Sequence, residues 1–290
     1  MITRVVSVLI VSVIALLTPA ALAEQDRREE MTAKQFLEWS MDQHAKLKTY
    51  QAMVLWDMGK GDLRTRLVLI EGPDKYAVTS SNRGYTQVSV CDGTTLLEYD
   101  SEDAEALEYR ATSHIGTSPG MQMNHPHFCG SLLYKFFLGS DHLDQLAILD
   151  RQEIEYGPRV TLADGRTLQS VKFYGAYLYG HVVADINVST GLVERLKYDS
   201  EPVMQVLKDM GPEGVSKFLQ DVLESIGEDI EVPEFPEIGT RWTTEHISVV
   251  ATDAPLSSDI FSTATPNGIE TRRMTSAWPR WSPQGRKTPR

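Results

Sequence analysis

The spacing of hydrophobic positions changes several times along the chain, and each change marks an element. Residues 32–47, TAKQFLEWSMDQHAKL, place Phe36, Leu37, Trp39, Met41, Ala45 and Leu47 on an approximately helical apolar face. Thr32 stands where a capping hydroxyl is wanted. The period then drops to two. TYQAMVLWDM (49–58), LRTRLVLIE (63–71), KYAVTSS (75–81) and YTQVSVC (85–91) read as strands. Gly59-Lys60-Gly61, Gly72-Pro73-Asp74 and Asn82-Arg83-Gly84 separate them, and Asp92-Gly93 inside VCDGTTLLEYD (90–100) is a tight-turn pair. The pattern predicts one helix followed by a meander of five short antiparallel strands.

Residues 101–130 keep neither period. Residues 130–149, GSLLYKFFLGSDHLDQLAIL, read as an apolar helical segment with a break at Gly139-Ser140. A second meander follows to residue 200, with Asp164-Gly165 and Thr190-Gly191 as turns. Near 202–227 lies a helical insert, divided at Gly211-Pro212; Val215, Phe218, Leu219, Val222 and Leu223 repeat at amphipathic spacing. An acidic, Pro-containing linker (228–238) leads to a last strand and turn ending at residue 268. The expected fold class is α+β: about nine or ten antiparallel strands in two meanders, with two apolar helical segments covering one face. That pattern fits either a cavity or a filled core beneath the helices.

The first 23 residues stand apart. Arg4, the apolar run Val5–Leu17 and Ala21-Leu22-Ala23 follow the plan of a secretory signal peptide cleaved near Ala23. The run is shorter than the roughly 20 residues of a membrane span, and no later stretch is apolar enough for a stable span. The expected organisation is a signal peptide (1–23), one domain (24–268) and a basic, disordered tail (269–290). Residues 271–290 carry six basic residues and no acid. With the total at −12 and residues 1–30 at −1, residues 31–270 carry about −17. A body this acidic repels phosphates and argues against nucleic acid as a partner.

Export also frames the two cysteines. In an oxidising compartment Cys91 and Cys129 invite pairing, which would pin the loop before the second helical segment to the sheet rim. Cys129 sits in NHPHFCG (124–130), where His125 and His127 alternate with it. The three could serve a metal, although a tetrahedral site needs a distant fourth ligand; His114, Asp141 and His142 are possible. A structural loop is the simpler reading, and a metal-dependent hydrolase on His125 and His127 the weaker one. H-E-x-x-H, G-x-S-x-G and a phosphate-binding glycine loop are all missing from the sequence, so neither catalytic residues nor a cofactor is expected.

The order of pieces resembles the outer-membrane lipoprotein carrier superfamily, the LolA/LolB-like fold that includes RseB/MucB-type periplasmic sensor domains. The resemblance is carried by LKTYQAMVLWDM (47–58), EGPDKYAV (71–78), VCDGTTLLEYD (90–100), ADINVSTGLVERLKY (184–198) and LSSDIFSTATPNG (256–268). These are turn and packing features, and none is catalytic. The resemblance implies a curved, incomplete antiparallel β-barrel covered by helices, located in the periplasm, whose interior takes the acyl chains of a lipid or lipoprotein. It implies a non-catalytic transport or binding role. The alternative on the same fold is a regulatory module that senses lipid or lipoprotein and contacts an envelope protein. Acyl chains need an apolar wall, since each buried CH₂ contributes about 0.8 kcal/mol. Val54, Trp56, Leu67, Leu69, Val88 and Val90 from the strands, with Leu133, Phe136 and Phe137 from the cover, are the expected wall. Carriers hold their cover closed with a strand arginine; Arg64 and Arg66 are the candidates here.

Overall fold

The computed structural model describes residues 30–57, 63–72, 74–82, 85–100, 105–110, 131–149, 153–176, 180–199, 242–264 and 270–273. The signal segment, NHPHFCG, the 202–227 insert and the tail beyond residue 273 lie outside them.

Helix α1 spans Ala33–Ala45. Thr32 caps it: its hydroxyl accepts from the Gln35 N–H at 3.3 Å, and the Gln35 side chain accepts from the Thr32 N–H at 2.9 Å. The buried face is Ala33, Phe36, Leu37, Ser40, Met41 and His44, while Ala45 is exposed and Leu47 half-buried. The apolar face expected from sequence is therefore corrected in its last turn, where polar side chains take the inward positions. The spacing 33, 36, 37, 40, 41, 44 holds the helical period only if Ser40 and His44 are counted as inward. Both are: Ser40 Oγ donates to the Gly191 carbonyl at 2.6 Å, and the His44 ring bridges the Ser40 carbonyl and the Val193 N–H.

Among the described residues, twelve strands form one open sheet. They are β1 (Thr49–Asp57), β2 (Leu63–Glu71), β3 (Lys75–Asn82), β4 (Tyr85–Asp92), β5 (Thr95–Asp100), β6 (Glu105–Arg110), β7 (Glu155–Thr161), β8 (Thr167–Tyr174), β9 (His181–Asn187), β10 (Val193–Asp199), β11 (Trp242–Thr252) and β12 (Glu270–Arg273). Their order is β12-β6-β5-β4-β3-β2-β1-β11-β10-β9-β8-β7. The two meanders predicted from sequence are thus joined edge to edge by β1 and β11, where Val54 faces Ile247. Among the described residues, the strands at the two ends of this order, β12 and β7, do not pair with each other.

Two strands lie where the sequence pattern gave none. β6 falls inside the segment expected to be irregular; pairing with β5 from Thr95↔Arg110 to Glu98↔Leu107 overrides a weak local signal. β12 lies beyond the expected domain end at residue 268 and runs parallel to β6, so the sheet extends into the basic segment.

The apolar segment 131–149 forms α2 (Leu133–Phe136), a 3-10 turn (Ser140–His142) and α3 (Leu143–Leu146). The expected break is at Gly139, whose φ of +80° suits a residue without a Cβ. Asp42 of α1 then accepts from the Ser140 N–H at 2.9 Å, tying the break to α1. Phe36, Leu37 and Met41 of α1, Leu133, Phe136 and Leu146 of this segment, and Tyr50, Val68, Phe173, Ala184 and Leu196 of the sheet belong to one buried cluster.

The Thr190-Gly191 turn is pressed against α1. Gly191 has φ +75°, and a Cβ there would lie 2.5 Å from Gln43 Cγ and 3.1 Å from the Trp39 ring. Gly191→Ala therefore combines backbone strain with a clash at the helix–sheet contact. A loss of roughly 1–3 kcal/mol is expected, read as a lower urea midpoint with unchanged denaturant dependence.

Candidate functional site

The face of the sheet beneath α1 and residues 131–147 is the candidate site. Strand alternation decides which side chains reach it. In β1 these are Tyr50, Ala52, Val54 and Trp56, all buried. In β2 they are Arg66, Val68 and Ile70.

The nine residues expected to line one wall divide between two faces. Val54, Leu133, Phe136 and Phe137 lie in the inner cluster, and Trp56 is buried on the same side of β1. Leu67, Leu69, Val88 and Val90 point the other way. Val90 is buried with Ala77 and Phe261 in a second cluster, against which Leu69 and Val88 pack, while Leu67 is 36% exposed. The correction has a plain cause: Leu67 and Leu69 flank Val68 in a strand of period two, so an apolar run such as LVLI must serve both faces.

Polar groups are buried with the inner apolar ones. Glu245 of β11 has no exposed surface. Its carboxylate accepts from Ser131 Oγ at 2.5 Å and from the Tyr198 hydroxyl at 2.8 Å. It also receives the Leu132 N–H. One carboxylate thus joins the start of the covering segment to β10. Burial pushes its pKa up, and the Arg66 guanidinium, Ser131 and Tyr198 act against that rise. Arg66, only 2% exposed, lies with its guanidinium carbon 3.8 Å from the Trp56 ring centroid. Arg64 approaches the same ring at 5.6 Å. Burial drives the Tyr134 phenol up to about 12, with Arg66 opposing. Among the described residues, the Tyr50 hydroxyl and the Trp56 indole N–H find no hydrogen-bond partner. Sequence reasoning singled out Arg66 and Trp56 but missed Glu245, Tyr198 and Tyr134; the alternation of β11 around Ile247 was the available signal.

A buried acid stands further along the sheet. Glu98 of β5 accepts from Ser89 Oγ across the β4–β5 pair at 3.1 Å. Burial raises its pKa to about 7. His44, buried against Phe136 and Phe137 with ring centroids at 5.4 and 5.2 Å, moves the opposite way, down to about 4.

Cys91 is buried and has no disulfide partner among the described residues, and burial chiefly raises the pKa of its thiol. Cys129, His125 and His127 lie outside the described residues, so the expected bridge and metal site are not placed. No group of three metal-ligating side chains occurs among the described residues. A groove of about 490 Å³ opens along α1, lined by Met31, Trp39, Glu30, Glu38, Asp42 and neighbouring polar residues; it lies apart from the buried interior.

Comparison with family models returns no match, and neither does comparison with curated proteins. Solved structures similar to this chain include three that are aligned over most of its length. A LolA superfamily protein from Nitrosomonas europaea is 12% identical, with 80% of this chain and 98% of that one covered and a TM-score of 0.31. A DUF1329 family protein from Desulfovibrio piger is 12% identical over 79% and 95% of the two chains, with a TM-score of 0.34. The MucA/MucB complex of Pseudomonas aeruginosa is 11% identical over 80% of this chain and 61% of that one, with a TM-score of 0.32.

The two buried titrating groups give stability opposite pH dependences. His44 is harder to protonate folded than unfolded, so its contribution is complete above about pH 6.5 and is lost as pH falls towards 4. Glu98 is harder to ionise folded than unfolded, so its contribution is complete below about pH 4.5 and is lost as pH rises through 7. Glu98→Gln should gain stability relative to wild type by up to about 3 kcal/mol between pH 4.5 and 8. His44→Gln should gain on wild type as pH falls from 7 to 4. Urea midpoints across pH 4–8 measure both; parallel wild-type and variant curves would contradict the assignment.

Proposed function

We propose that this protein is an exported, periplasmic, non-catalytic binding protein that takes the acyl chain of a lipid or lipoprotein beneath its helical cover. The observation that carries the reading is the way the cover is fastened. Residues 131–147 lie over the inner face of the sheet through apolar contacts with α1 and the strands, and Glu245 holds their first residues through hydrogen bonds. An apolar cover held by a few polar contacts can separate from an apolar wall at lower cost than a continuous core. The wall then consists of Val54 and Trp56, with Leu133, Phe136 and Phe137 above. Leu67, Leu69, Val88 and Val90 belong to the outer face. Trp56 and Tyr50 would offer their unpartnered donors to an ester or carboxyl oxygen entering the interior. Arg66, on the inner face beside Trp56, is the better of the two arginines for a closing role, because Arg64 is more exposed.

Export is supported by the N-terminal 23 residues, and no helix among the described residues is long and apolar enough to cross a membrane. A second reading, an envelope interaction module on the same fold, draws on the outer face. There Met53 opposes Leu67 across β1–β2, and both are exposed together with Leu55, Leu63 and Trp242. In that reading the inner face is core and the outer patch meets a protein.

Native mass spectrometry of protein purified from the periplasm without detergent separates the two. Extra mass in lipid-sized steps is expected, while a bare chain under the same conditions would favour the interaction module. The same sample, unfolded but unreduced, reports the Cys91–Cys129 bridge: a two-proton mass deficit is expected, and two titratable thiols would remove the bridge from the proposal. Replacing Glu245 by Ala should cost about 3–5 kcal/mol, because it removes the buried acceptor of the Ser131 and Tyr198 hydroxyls and the Leu132 N–H together with the negative charge that acts on Arg66.

A further inference from the structure

The inner face of the sheet changes character from strand to strand. Read across by register, one row runs Ala52, Val68, Val78, Ser89, Glu98 from β1 to β5. The next runs Val54, Arg66, Ser80, Gln87. Both begin aliphatic and end polar at β4–β5, beyond which the first continues to Leu107 of β6. The polar ends are not at the surface: Ser80, Gln87 and Ser89 are buried, and Glu98 is 7% exposed. Strand spacing puts Val68 and Glu98 about 14 Å apart along the wall.

Glu98 is the odd member. A carboxylate offers about four acceptor positions, and the Ser89 hydroxyl occupies one of them. Among the described groups no cation offsets its charge; burial and Ser89 account for its titration. A buried carboxylate with a single neutral donor is expensive to maintain. A packed core would place an aliphatic side chain or a basic partner there. Among the described groups the position has no strong donor, and a protonated amine supplies both the donors and the charge.

Resting on the acyl-binding reading above, we infer that Glu98, with Ser89 and Gln87 beside it, receives the primary ammonium head of an amphiphile whose hydrocarbon chain lies along Val78, Val68 and Ala52. The wall is then matched to its ligand end for end. The chain lies on the aliphatic strands, and the head reaches β4 and β5, near the sheet edge formed by β6 and β12.

The test uses three single-chain phospholipids with the same acyl group, titrated into the full mature protein and followed by intrinsic tryptophan fluorescence. Lysophosphatidylethanolamine carries an N–H-bearing cation. Lysophosphatidylcholine carries the charge without donors, and lysophosphatidylglycerol carries hydroxyl donors without the cation. The ethanolamine lipid is expected to bind about tenfold tighter than the other two. Glu98→Gln, nearly isosteric and able to keep the Ser89 hydrogen bond, should erase that preference without lowering lysophosphatidylglycerol affinity by more than about twofold. Glu98→Asp, which keeps the charge but withdraws it, should reduce the preference and serves if the Gln variant folds poorly. Equal affinity for the three heads, or a preference untouched in both variants, overturns the inference and leaves acyl binding standing. Wild-type protein that binds none of the three overturns both.

Discussion

The pairing of β1 with β11 is the contact on which the rest of the molecule depends. It joins strands from opposite ends of the described chain, with Tyr50 against Thr252 and Asp57 against Thr244. Without it there are two separate meanders, each presenting an apolar face too wide for its own residues to cover. With it, Val54 and Trp56 stand beside Ile247 and Glu245, and one surface forms that α1 and residues 131–147 can cover together. The bulge between Gln51 and Ala52 lets β1 pair with β2 and β11 at once while the sheet bends. Such non-local pairing forms late, because the loop between the two strands must close before the contacts form.

That seam also explains why polar residues sit so deep. Glu245 follows from β11 lying beside β1: the inward parity that places Ile247 over the core places Glu245 there too. The structure answers with two hydroxyls, a backbone N–H and the charge of Arg66. A buried carboxylate arranged in this way fixes one relative position of cover and sheet better than aliphatic packing could, because a carboxylate without these donors would be costly. Glu98, three strands from Arg66, has no comparable shell among the described residues, and that contrast within one face separates a structural acid from one short of partners.

Much of this was legible in the sequence, and the misses have physical causes. Tight-turn pairs located the meanders: Asp92-Gly93 and Asp164-Gly165 have their glycines at φ +96° and +86°. The Gly139 break and the Thr32 cap were equally plain. The division of Leu67 and Leu69 from Val54 was readable from alternation alone, but an unbroken apolar run hides its parity. Ser40 and His44 looked like the polar side of α1 because their partners, Gly191 and Val193, lie some 150 residues away. β6 and β12 could not be read locally, since four to six residues with ordinary propensity become strands only when an edge is offered to them.

The far edge of the sheet carries its own consequence. β7 reads Glu-Tyr-Gly-Pro-Arg-Val-Thr, with its register broken between Tyr156 and Arg159. Pro158 has no N–H to donate, and Gly157 packs so closely on Ser170 that a methyl there would approach it to 2.9 Å. A foreign strand laid along this edge meets a kink and a missing donor midway, so it cannot zip up the way β8 does on the other side. An open sheet exposing Tyr156 and Val160 is in this way kept from becoming the first layer of a fibre.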